Sequence, residues 1–202
     1  MATKRSTGEG GPRRKAEIFA ATLDLLAGHG YDGLTIEGVA QASGVNKTTI
    51  YRWWPSKSEL LRDALLHSRT LHFEIADTGN LRGDLADLAA RVQALLTEDR
   101  SRTVVEAALV GAVRHEAMRE MVISFLDDRF GRHQPIFERA VRRGELPAEF
   151  DPAPLVDAMA GALWIRALVR RGPMAGDFAG HLVSLLMEGV DQAARRSAPP
   201  AR

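Results

Sequence analysis

The chain has 202 residues, 45% of them hydrophobic and 26% charged, with a formal net charge of +1 and no cysteine. That length supports one large domain or two small ones with a real core, and the absence of thiols excludes a disulfide framework and thiolate chemistry. The longest apolar runs are broken by charge, and none follows the N-terminal MATKRSTGEGGPRRK, so neither a membrane span nor a secretory signal is expected, which fits a cytoplasmic protein. The small net charge hides an asymmetry. Residues 1–72 carry ten Lys/Arg against seven Asp/Glu, or +3, and residues 73–202 carry seventeen against nineteen, or −2. A positive N-terminal third suits contact with phosphates.

Residues 1–12 lack periodicity and are expected to be a disordered basic tail. Lys4 and Arg5, with Arg13, Arg14 and Lys15, can follow DNA phosphates or simply be solvated. The first helix is predicted from Arg13 to about His29, apolar along Ile18, Phe19, Leu23, Leu25 and Leu26 and ended by Gly28 and Gly30. Leu34 and Thr35 follow, with Thr35 as N-cap.

The stretch TIEGVAQASGVNKTTIYRWW then reads as two short helices with a tight turn, over about residues 36–55. Ile36, Val39 and Ala40 form one apolar face, and Gly44 suits the left-handed residue that closes the helix. Val45 and Ile50 bury the second helix. Asn46, Lys47, Thr48, Thr49, Tyr51 and Arg52 lie between them, and these donors and edges suit a DNA major groove. Pro55 stops that helix, and Ser56-Lys57-Ser58-Glu59 is a capping box for a fourth helix to about Arg69.

The run GVNKTTIYRWWPSKSELL resembles the helix-turn-helix of the tetracycline-repressor-like (TetR) transcription regulators. The resemblance rests on Ala40, Gly44-Val45, the Thr-Ile-Tyr of the recognition helix, the aromatic pair and Lys57, and it covers residues 13 to 65 well. It implies that Thr35 and Lys57 touch the DNA backbone. Trp54 is expected to pack against the first and fourth helices. Trp53 points about 100° away, towards DNA, although core packing would suit its side chain equally. Glu37 can only accept, for instance from a cytosine amine, and is expected to sit beyond the edge of the groove.

A domain boundary is expected near residues 66–80, separating a DNA-binding domain (13–72) from a regulatory and dimerisation domain (73–196), with a disordered tail at 197–202. Asp84 is expected to cap a helix to about Leu96, Asp99-Arg100-Ser101 to form a turn, and Arg102 to His115 to form a largely buried helix. Met118 to Arg143 reads as one long helix, kinked at Pro135 and closed by Gly144. Asp151-Pro152 opens a helix to about Val169, and Phe178 to about Ala194 is the last. The expected fold is all-α, with about nine helices.

Catalytic signatures are absent. The histidines have no metal-pair spacing, and no nucleophile elbow, phosphate loop or dinucleotide fingerprint occurs, so neither an enzyme nor a metal or cofactor is expected. The resemblance implies a small-molecule effector among the later helices. Met121, Phe125 and Trp164 are the apolar candidates, and Arg91, His115 and His133 could orient a ligand, although each residue type also serves an ordinary core. It also implies that the last two long helices pair with those of a second subunit. The expected function is a ligand-responsive homodimeric repressor on a palindromic double-stranded operator. An activator fits the same residues, and a helical binding protein or enzyme with an incidental helix-turn-helix is the remote alternative.

Overall fold

The computed structural model describes residues 14–67, 71, 74–172, 174 and 177–197. The predicted N-terminal tail, residues 198–202 and the end of the predicted fourth helix lie outside these residues, whereas Ser197, assigned above to the C-terminal tail, is the last residue of α9. Among the described residues there are nine α-helices and no strand. They are α1 (Lys15–Gly33), α2 (Ile36–Ser43), α3 (Lys47–Trp53), α4 (Lys57–His67), α5 (Leu81–Thr97), α6 (Asp99–Arg114), α7 (Glu116–Arg142), α8 (Ala153–Trp164) and α9 (Phe178–Ser197). A five-residue π-helical stretch, Ile165–Val169, prolongs α8.

The chain forms two compact units. The first holds the residues up to Leu71 together with Val104–Phe125, and the second holds the remainder. In the first, α1 packs on α2 and α4, and α2 packs on α3. Its core is Ile18, Phe19, Leu23, Leu26, Leu34, Ile36, Val39, Ile50, Trp54, Leu60, Leu61, Ala64 and Leu65, all buried. Each such leucine or isoleucine contributes roughly 1.5–3 kcal/mol by leaving water. The first helix breaks its regular geometry at Gly30, whose φ of 66° and ψ of −177° only glycine adopts easily. Beyond that point α1 continues to Gly33, past the predicted stop near His29.

In the second unit α5 packs on α8 and α9, and α8 packs on α9. Three expectations about α5 and α6 are corrected by the structure. Asn80, not Asp84, caps α5: its side chain accepts from the Gly83 N–H, and Asp84 lies inside the first turn, fully buried. Asp99-Arg100-Ser101 is the first turn of α6, because the Glu98 carboxylate accepts from the N–H groups of Arg100 and Ser101 and so starts the helix earlier. Within α6 the apolar run is not largely buried, since Val110 and Val113 are exposed. α7 is one long helix with Pro135 inside it and no break there, and Gly144 follows its end at a φ of 75°. Asp151 accepts from the Ala153 N–H at the start of α8.

Candidate nucleic-acid interface

Two caps fix the helix-turn-helix. Thr35 Oγ1 accepts from the Gly38 N–H at 3.0 Å, which starts α2, and its own hydroxyl proton can still be donated. Asn46 Oδ1 accepts from the Thr48 N–H at 2.8 Å, which starts α3. Gly44, at a φ of 65°, closes α2 between them. Arg14 donates to the carbonyls of Ser43 and Gly44, at 2.8 and 3.2 Å, and so fastens the start of α1 to that turn. The sequence offered Arg14 as a phosphate contact, whereas the structure spends its guanidinium on the turn.

Ile50 is the single buried side chain of α3, with no exposed surface at all. It anchors a helix on which Lys47, Thr48, Thr49, Tyr51, Arg52 and Trp53 are all exposed, next to exposed Asn46. Eight of the nine predicted DNA-contact residues therefore lie exposed along the caps and α3, while Lys57 is half-buried. The two tryptophans diverge as one residue of helix requires. Trp54 is 4% exposed, lies 5.6 Å from the Phe19 ring and donates from Nε1 to Asp63, while Trp53 is 42% exposed.

Two contacts were not legible in the sequence. The Tyr51 hydroxyl donates to Glu37 Oε1 at 3.3 Å, so the glutamate stands beside the recognition helix. Its negative charge, with a lesser effect of burial, raises the Tyr51 pKa above the ordinary value by disfavouring the phenolate. Lys57 Nζ donates to the Tyr31 carbonyl and lies over the Tyr31 ring. The Tyr31 hydroxyl shares a hydrogen bond with Ser58 at 2.7 Å, and its ring lies 5.2 Å from that of His115, which pairs with Asp32 at 3.2 Å.

The candidate effector residues divide between the units: His115, Met121 and Phe125 belong to the first, Arg91 and Trp164 to the second. Arg91 pairs with Asp87. Of the effector candidates, His133 alone lines a described cleft, one of about 380 Å³ in the second unit. No group of three or more side chains among the described residues could hold a metal, and none of their helices is long and apolar enough to cross a membrane.

A family model described as "Bacterial regulatory proteins, tetR family" matches residues 18–64, and one described as "Tetracyclin repressor-like, C-terminal domain" matches residues 75–186. The chain belongs to the TetR family. It is 34% identical over 171 residues to an HTH-type transcriptional regulator of Mycobacterium tuberculosis, covering 84% of each chain. It is 33% identical over 180 residues to the DNA-binding transcriptional repressor TetR of Mycobacteroides abscessus, covering 86% of this chain and 91% of that one. Among solved structures, the TetR family transcription regulator SCO0332 matches with a TM-score of 0.70 at 29% identity, covering 89% of this chain and 99% of that one. The GusR of Salmonella enterica shares the fold, with a TM-score of 0.67 at 23% identity over 88% and 95% of the two chains. This TetR-family chain is a DNA-binding transcription regulator, with an N-terminal helix-turn-helix and a helical C-terminal part.

Proposed function

We propose that this regulator is a homodimeric, ligand-responsive repressor. The observation that carries the reading is the outer surface of α3, where consecutive donors and aromatics surround one buried anchor, Ile50. In the reading, Thr48, Thr49 and Tyr51 face bases or their flanking phosphates. Lys47 and Arg52 reach guanine or phosphate, Trp53 packs on the groove wall, and Thr35, Asn46 and Lys57 hold the backbone.

Two such helices enter successive major grooves of a palindrome, about one helical turn or a multiple apart. Support for the dimer comes from the α8–α9 face. Ile165, Val169 and Leu185 are 51, 71 and 67% exposed, an apolar set that a single chain leaves wet. Support for repression comes from the printed name of the Mycobacteroides abscessus relative. An effector would act through unequal affinity for the DNA-bound and DNA-free states.

The test is binding of the purified full-length protein to its own upstream intergenic DNA across a salt series. Tight binding to one palindrome that weakens steeply with salt is the expected result. Absence of binding at low salt, from protein refolded to remove any carried ligand, would overturn the reading.

A further inference from the structure

In the second unit a cleft of about 380 Å³ lies between Glu74 and Ile75, in the segment that leads into α5, and one face of α7. That face carries Arg132, His133, Pro135, Ile136 and Arg139, spaced as successive helical turns require. The volume lies within the range of small-molecule sites, and the lining has the usual mixture of apolar surface and few convergent polar groups.

The polar groups are arranged around two guanidiniums. Arg132 donates to Asp128 at 2.7 Å from a half-exposed side chain. Arg139 is shared: Nη2 bonds buried Asp84 at 3.2 Å, and Nε lies 3.3 Å from an Asp77 carboxylate oxygen. That Nε is buried, yet it makes no hydrogen bond among the described residues. A buried guanidinium N–H without a bond is costly, and an acceptor entering the cleft would remove the cost. Asp77, the group now beside it, is more than half exposed and keeps the Gly79 N–H and Arg143 as partners, so losing Arg139 does not strand it. Buried His133 sits between the arginines as a neutral imidazole. Burial holds its pKa down to about 4, and the positive field of Arg129 and Arg132 adds to this against the opposing Asp128. The arginines thus make a positive contribution at this wall of the cleft, beside the larger effect of burial. Glu74 is exposed and is the only acid among the described lining residues.

The geometry points to this cleft as the binding site of a small organic carboxylate, held by Arg132 and Arg139 with its apolar body on Ile75, Pro135 and Ile136. The ligand takes Arg139 from Asp77 and leaves the Arg139–Asp84 bond in place. This inference rests on the ligand-responsive reading proposed above and gives the effector a chemical class.

The experiment uses full-length protein and benzoate as the probe, with benzamide as its uncharged counterpart, followed by ligand-observed NMR at constant chloride. Benzoate is expected to bind saturably, with a dissociation constant on the order of 1 mM, and benzamide at least about tenfold more weakly. Arg132→Gln should weaken benzoate by about tenfold without moving the thermal midpoint. Asp77→Asn should tighten it severalfold, because the competitor for Arg139 is gone, an effect that a merely structural Asp77 would not give. Equal binding of benzoate and benzamide, no saturation by about 20 mM, or indifference to both substitutions would overturn the inference. Operator binding measured on the same sample separates the two readings: intact operator binding without benzoate binding removes this site and leaves the regulator standing.

Discussion

The Lys57 ammonium nitrogen lies 2.8 Å from the backbone oxygen of Tyr31 and 4.3 Å from the centre of the Tyr31 ring. A lysine in the first turn of a helix is mildly disfavoured by the helix dipole, and here the last turns of α1 supply the compensating acceptor and π face. The carbonyl takes one ammonium proton and leaves two for a phosphate. The side chain is thus held in one place before DNA arrives.

Lys57→Ala is expected to weaken operator binding by about tenfold and to lower the slope of log K against log salt by about one, as loss of one phosphate contact requires. Far-ultraviolet circular dichroism should remain helical. An unchanged salt slope would remove Lys57 from the interface.

Glu37 and Tyr51 give a second prediction. The protein has two tyrosines, so a Tyr31→Phe background leaves Tyr51 as the phenol that an ultraviolet titration reads. Tyr51 should ionise above the ordinary phenol range, and Glu37→Gln should bring it back towards that range. The same substitution removes a negative charge beside the recognition helix and should raise affinity for non-specific DNA severalfold. A Tyr51 that titrates identically in both proteins would show the pair is not formed.

Asp84 is the third case. Burial alone would raise its pKa, but the Thr78 hydroxyl and N–H, both at 2.7 Å, and Arg139 outweigh that and lower it. The carboxylate's contribution to stability is therefore present above the ordinary Asp range and is lost as acid reaches its lower folded pKa. Asp84→Ala leaves Arg139 only the half-exposed Asp77 and takes the acceptor from Thr78, and should cost about 2–3 kcal/mol, read as a lower urea midpoint at pH 7. A loss below about 1 kcal/mol would mean that the pair is solvated.

His133 behaves in the opposite sense to a salt-bridged histidine. Its folded pKa, about 4, lies below the unfolded 6.5, so the unfolded chain takes up a proton first. Its contribution is whole above about pH 6.5 and falls as the pH drops towards 4, by a total on the order of 2 kcal/mol after allowing for solvent screening. His133→Gln should flatten the fall in urea midpoint between pH 7 and pH 5. Parallel falls in the two proteins would count against a buried neutral imidazole.

What the sequence made legible was local. Thr35, Gly44, Ser56 and Gly144 act within three residues of themselves, through caps and left-handed closures that residue type alone suggests. Ile50 and Trp54 were legible through helical spacing. The misreadings came from partners distant in the chain. Asp84 looked like a cap because its partner Arg139 is 55 residues away, and Arg14 read as either a phosphate contact or a solvated charge because its partners Ser43 and Gly44 are 29 and 30 away. The exposure of Val110 and Val113 escaped notice because an apolar run reads the same whether or not another helix covers it.

The cap at Asn46 divides one side chain into two jobs. Its oxygen accepts from the Thr48 N–H, which uses one of its two lone pairs, and both N–H protons of the amide stay available to give. The side chain that starts the helix can therefore still address phosphate oxygens or guanine acceptors. An aspartate would start α3 as well, yet it would carry nothing to give. The folding requirement and the reading requirement at position 46 are therefore written in different atoms of the same amide.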